Sequence, residues 1–146
     1  MWPTNNSVTR SFGESDSKGI QFSGEGGAPI HAAADGKVVY AGSGLRGYGE
    51  IIIIKHSATL LTAYAHQKKI LVKEGQAVSR GQQIGEMGST GTDSIKLLFE
   101  IRKAGKPVDP LLFLPFRPSS LAKQTQPTVV QQIQSDEDKR RFILAN

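Results

Sequence analysis

The stretch "EIIIIKH", residues 50–56, places the strongest constraint on what this chain can become. Four consecutive isoleucines are stiff at χ1 and suit a pleated strand. Because successive side chains point to opposite sides, neither face of that strand is polar, so it must be central and covered on two sides. The surrounding sequence agrees. Short runs rich in Val, Ile, Tyr and Phe, punctuated by glycine turns, fill residues 8–104: "VTRSF" (8–12), "APIHAA" (28–33), "GKVVYAG" (36–42), "LLTAYAHQ" (60–67), "KILV" (69–72), "QIGEMG" (83–88) and "KLLFEIRK" (96–103). Before residue 118 nothing has sustained helical periodicity. The pattern predicts an all-β domain with antiparallel hairpins. "ADG" (34–36) is expected to be a hairpin turn. Glycines 75, 81, 85 and 88, framing Val78 and Ile84, predict a tight reversal between short strands.

Alternation in "KLLFEIR" sends Leu97, Phe99 and Ile101 to one side and Lys96, Leu98, Glu100 and Arg102 to the other. The first set is core. The second is solvated surface or the floor of a groove, and periodicity alone does not choose; either way Glu100 is placed to pair with a cation on its own face.

With 146 residues the chain suits one domain with its own core. It has no cysteine, which rules out a disulfide framework or a thiolate metal site. No apolar run approaches the roughly 20 residues that span a bilayer. "MWPTNNS" has no basic region followed by an apolar one, so the sequence reads as soluble. The net charge of +5 mildly favours acidic partners. Nucleic acid is a poor fit, because the basic residues are scattered and no aromatic stacking platform accompanies them. After "PLLFLPFRP" the composition turns polar and Gln-rich, which reads as a linker over 118–134. "SDEDKRRFILAN" (135–146) has the signs of a short helix, with Ser135 as N-cap and acids near its positive end.

Three histidines are present, His31, His56 and His66, and no two share a metal-binding spacing. His31 and His56 read as half-buried strand residues. His66 ends "AYAH", where regular extension would put it on one face with Tyr64.

Five separated segments, "KGIQFSGEGGAPIHAAADGKVVYAG", "GLRGYGEIIIIKH", "TAYAHQ", "VSRGQQIGEMGSTG" and "LLFEIRKAGKPVDPLLFL", together resemble the LytM-type (lysostaphin-like) peptidoglycan metallopeptidases over approximately residues 2–115. The resemblance implies an antiparallel β-sheet domain with a groove, spanning residues 1–117. "GLRGYG", "MGSTGT" and "FEIR" are most similar to the amidase-activator branch, the NlpD and EnvC type. Peptidases of this family hold zinc through a His-x-Gly-x-Asp motif and the second histidine of a His-Leu-His strand. Matched residue by residue, Ser17 and Gln21 stand at the first two ligand positions, and Lys96 and Leu98 at the two strand histidines, Leu98 at the ligand. Only His66 keeps a catalytic identity, a vestigial one, as the histidine that assists proton transfer or steadies the oxyanion.

A catalytic zinc needs about three protein ligands plus an open position for water. A hydroxyl, a carboxamide and an alkyl group do not supply them, and Lys96 would repel a dication. No nucleophile arrangement takes the metal's place. The expectation is therefore a catalytically silent domain without cofactor, whose groove uses Lys18, Lys96 and Arg102 for charge and Leu98, Tyr48, Tyr64 and His66 for contact area. By resemblance, its partner would be an N-acetylmuramoyl-L-alanine amidase in the periplasm of a Gram-negative bacterium. The groove would hold that enzyme's autoinhibitory helix off its zinc, promoting septal peptidoglycan splitting, and the full protein would be anchored in the outer membrane. Charge reversal at Lys18 or Arg102 is expected to abolish stimulation while leaving the melting temperature nearly unchanged. Two other readings compete: a module that binds peptidoglycan itself, and a residual cell-wall metallo-endopeptidase. "GQAVSRGQQIGEMG" is also similar to the reversal of biotinyl and lipoyl carrier domains, but it lacks the Met-Lys-Met type turn that presents the modified lysine.

Overall fold

The computed structural model of the chain describes residues 1–115. The readings of a linker at 118–134 and a helix at 135–146 lie outside the described residues.

Ten strands build one sheet system: β1 (Val8–Arg10), β2 (Ile20–Ser23), β3 (Pro29–His31), β4 (Gly36–Gly42), β5 (Glu50–Lys55), β6 (Leu60–Ile70), β7 (Ala77–Val78), β8 (Gln83–Met87), β9 (Lys96–Lys103) and β10 (Lys106–Val108). Along the main path the order is β1-β2-β9-β6-β5-β4-β7, with β10 on β9 and a smaller β3–β8 layer joined through β6. Every pairing is antiparallel. The isoleucine run is interior to the sheet, as its two apolar faces require. One face, with Ile52 and Ile54, enters the main core beside Ile20, Phe22, Leu97, Phe99 and Ile101; the other carries Ile51 and Ile53 into a separate apolar cluster.

Three expectations need correction. β2, "IQFS", was not predicted, although Ile20 and Phe22 are fully buried against β9 and Gln21 faces the other way; four residues are too short for alternation to stand out. "ADG" does not close a hairpin. β3 pairs with β8 while β4 pairs with β5 and β7, and Gly36 is not among the residues with positive φ. "KILV" is no separate strand, since Lys69 and Ile70 finish β6.

A polar chain runs from the core to the surface. The Ala33 N–H donates to Tyr64 Oη (3.0 Å), which lies 2.8 Å from Thr62 Oγ1, itself 2.8 Å from His56 Nε2. His56 Nδ1 is 2.6 Å from the Asp35 carbonyl, which only accepts. The ring proton of a neutral His56 therefore sits on Nδ1, Nε2 accepts from Thr62, and the donors all point one way. Trp2 packs edge-on against Phe22 with ring centroids 6.1 Å apart, and its Nε1–H donates to the Pro115 carbonyl (2.8 Å). That bond ties the two ends of the described chain together.

Candidate partner-binding groove

The face of β5, β6 and β9 opposite the main core is the groove floor. Ile51, Ala63 and Ala65 are buried there, with Tyr40, Tyr48, Ile53 and Leu98 packed against them. Register fixes the rows: Ile53 opposes Ala63, which opposes Glu100; Ala65 opposes Leu98, which opposes Gln21. A cavity of about 390 Å³ opens over this floor, walled by Leu45, Arg46, Tyr48, Ile53, Leu61 and the Glu100–Arg102 pair.

Glu100 is only 2% exposed. Its Oε1 accepts from Arg102 Nε (2.9 Å) and Nη2 (2.7 Å), and its Oε2 accepts from Tyr48 Oη (2.9 Å). Arg102 Nη2 also donates to Tyr48 Oη at 3.2 Å. The carboxylate is thus neutralised in place. Burial pushes the Tyr48 phenol above its usual value and the Glu100 charge adds to the push. Burial alone would lower the Arg102 pKa, but the hydrogen bond and charge of Glu100 outweigh it and the net direction is upward.

One wall is held by Thr90. Its Oγ1 accepts from the Glu50 N–H (3.0 Å) and donates to the Gln67 carbonyl (2.7 Å), while its own carbonyl accepts from His66 Nδ1 (2.8 Å). The His66 N–H in turn donates to the Tyr48 carbonyl (2.9 Å). The approach is so close that a Cβ on Gly49, which has φ +63°, would stand 2.2 Å from the Thr90 oxygen. His66 itself is in the left-handed region, φ +66°. Burial lowers its pKa; the Lys96 charge lowers it further, against the raising effect of the Thr90 carbonyl.

The left-handed turn at His66 overturns one placement. It breaks the alternation that would have put Tyr64 and His66 on one face. Tyr64 is fully buried in the main core against Phe99, with its hydroxyl in the polar chain, and burial pushes that phenol up to about 12. Tyr64 is therefore no groove residue. Of the others, Tyr48 and Arg102 wall the cavity, Leu98 packs in the same cluster as Tyr48, and His66 is bonded to the Tyr48 backbone. Lys96 is half-buried at the far end of β9, opposite Ser23, and Lys18 is exposed just before β2. Leu45, Arg46, Ile51, Ile53, Leu61 and Thr90 were not anticipated. For Ile51 and Ile53 the signal was the two-faced isoleucine run; "GLRGYG" gives none for Leu45 and Arg46.

The three positions matched to zinc ligands offer unsuitable donors. Gln21 and Leu98 are directly opposed in register, and Ser17 Oγ donates to the Gly19 carbonyl at 2.9 Å. A hydroxyl, a carboxamide and a hydrocarbon do not fit a catalytic zinc. Among the described residues no group of three His, Cys, Asp or Glu side chains is gathered to hold a metal ion.

An antiparallel sheet with a cleft on one face is the architecture of the lysostaphin-like peptidases. The chain superposes on the antimicrobial peptidase lysostaphin from Staphylococcus simulans with a TM-score of 0.71 at 28% identity, covering 86% of this chain and 56% of that one. It belongs to peptidase family M23, whose pattern matches residues 15–110. Among curated proteins it is 57% identical over 118 residues to a "Lipoprotein NlpD/LppB homolog" of Pseudomonas aeruginosa, covering 80% of this chain and 40% of that protein. It is 55% identical over 118 residues to the "Murein hydrolase activator NlpD" of Escherichia coli, covering 80% and 31%. The chain thus spans two fifths or less of the length of these relatives.

Proposed function

We propose that this domain is the docking module of a murein hydrolase activator. In this reading it is not itself a hydrolase. It binds the inhibitory helix of a zinc-dependent N-acetylmuramoyl-L-alanine amidase, and its affinity for the open enzyme shifts the population toward the active state. The observation that carries the reading is the combination on one sheet face. A pinned wall and an apolar cavity are kept, while the family's metal positions hold Ser17, Gln21 and Leu98. An apolar cleft with a charged rim suits an amphipathic helix. The names of the relatives support an activator that works at the envelope of a Gram-negative cell.

The test is dye release from labelled sacculi by candidate amidases with and without the purified chain. Stimulation of one amidase is expected, with substoichiometric zinc in the chain. Failure to stimulate any amidase of the source organism overturns the proposal, and chelator-sensitive clearing by the chain alone in zymograms would restore a peptidase. If sacculi retain the chain and no amidase responds, the groove serves peptidoglycan itself.

A further inference from the structure

At one end of the groove the register sets two lysines against each other. Lys37 on β4 is directly opposite Lys55 on β5; Lys55 is opposite Leu61, and Leu61 is opposite Arg102. Directly opposed residues of antiparallel strands share a face. The four side chains therefore form one row across the sheet, and its last two members, Leu61 and Arg102, wall the cavity. Both lysines are exposed.

Like charges placed this way, with Cβ atoms about 5 Å apart, destabilise a sheet, and lysine is itself a poor strand residue. Neither lysine has an ion-pair partner among the described residues. The carboxylate on the cavity wall, Glu100, is already taken by Arg102 and Tyr48. Arg46 adds a further cation to the wall. An apolar cavity thus opens beside positive charge that its own walls leave uncompensated, at a cost to the fold.

We infer that the Lys37–Lys55 pair receives the carboxylates of an acidic amphipathic segment of the partner amidase, whose apolar side chain fills the adjoining cavity. The charge complementarity fixes the occupant and its polarity: acids lie toward β4–β5 and the apolar anchor over Ile53 and Leu61. This rests on the docking reading above and adds the chemistry and direction of what docks.

The experiment uses the full chain and has two arms. In the first, Lys37→Thr, Lys55→Thr and the double variant are compared with wild type in the sacculus assay. Threonine suits a strand and removes the repulsion. The double variant should need at least tenfold more protein for half-maximal stimulation and lose the salt dependence of the wild type, while its melting temperature stays level or rises. In the second arm, the isotope-labelled chain is titrated with an acetylated, amidated synthetic helix bearing two leucines and two glutamates, and with its glutamine counterpart. Shifts at Lys37, Lys55, Ile53 and Leu61 with the glutamate peptide and not the glutamine one are expected. Undiminished stimulation by the double variant, or equal response to both peptides, overturns the inference while leaving the docking reading intact. A wild type that stimulates no amidase yet answers the glutamate peptide sinks the docking reading instead. If deleting residues 116–146 or diluting the chain moves the same resonances without peptide, the occupant is the chain's own tail or a second copy, and the inference fails.

Discussion

Replacing Arg102 by methionine keeps most of the side-chain length over the cavity and removes the charge from a carboxylate that is only 2% exposed. Glu100 would lose both bonds to Oε1 and keep the one from Tyr48. Breaking a fully buried ion pair in this way costs about 3–5 kcal/mol. Here the guanidinium side is 32% exposed, so water can reach the abandoned oxygen, and the cost should fall to about 2–3 kcal/mol. In a domain of this size that is roughly 6–15 °C of melting temperature. Changing both partners, Glu100→Gln with Arg102→Met, removes the uncompensated charge, and the double variant should recover to within about 1 kcal/mol of wild type. Urea unfolding of the four proteins at pH 7.5 closes the cycle. A single variant within about 0.5 kcal/mol of wild type, or a double variant worse than the single, would refute the claim that Glu100 is held by Arg102. The same geometry corrects the expectation for charge reversal: Arg102→Glu sets two carboxylates together and must destabilise the fold, so exposed Lys18 is the cleaner site for that test.

Gly19→Ala places a Cβ 2.2 Å from the Phe99 carbonyl oxygen and 2.9 Å from Glu100 Cγ; calorimetry should show a loss of about 1–3 kcal/mol, and no loss would mean that β2 does not lie so close to β9. Tyr64→Phe should cost about 1–2 kcal/mol by orphaning the Ala33 N–H and taking one of two partners from the Thr62 hydroxyl, which keeps His56, yet leave amidase stimulation intact at a temperature where the variant is folded; loss of stimulation alone would return Tyr64 to the groove. His56 and His66 both have pKa values lowered below the usual 6.5, in each case first by burial. The unfolded chain therefore takes up protons first, so stability is full above about pH 6.5 and falls as the pH drops through the lowered values. Melting curves from pH 8 to 5 should show that fall, and His56→Gln with His66→Gln should flatten it; an equal slope in the double variant would assign the acid sensitivity elsewhere.

Most of the sheet was legible because its strands obey period two: "GKVVYAG" and "KLLFEIRK" appear at the predicted bounds, and the Glu100–Arg102 pairing follows from two residues on one face. What failed was whatever depended on departures from that period. Tyr64 was misplaced because its face was inferred from His66, which has left the regular strand conformation; Tyr64 itself keeps to period two, opposite the core residue Phe99. Asp35-Gly36 has the composition of a hairpin turn, but partners distant in sequence claim the strands on either side of it. The cavity wall escaped notice for a related reason. Leu45 and Arg46 come from an irregular loop held by the Gly44 N–H on Tyr40 Oη and the Tyr48 N–H on the Leu45 carbonyl, bonds that no periodic pattern announces.

Thr90 has one more consequence. By latching the Tyr48–Glu50 segment to the end of "TAYAHQ" through both its side chain and its backbone, it sets that wall of the cleft without help from a guest. Association then surrenders little main-chain freedom. A lock of this kind discriminates by how long a key stays, so rival partners should differ in residence time far more than in their rate of arrival.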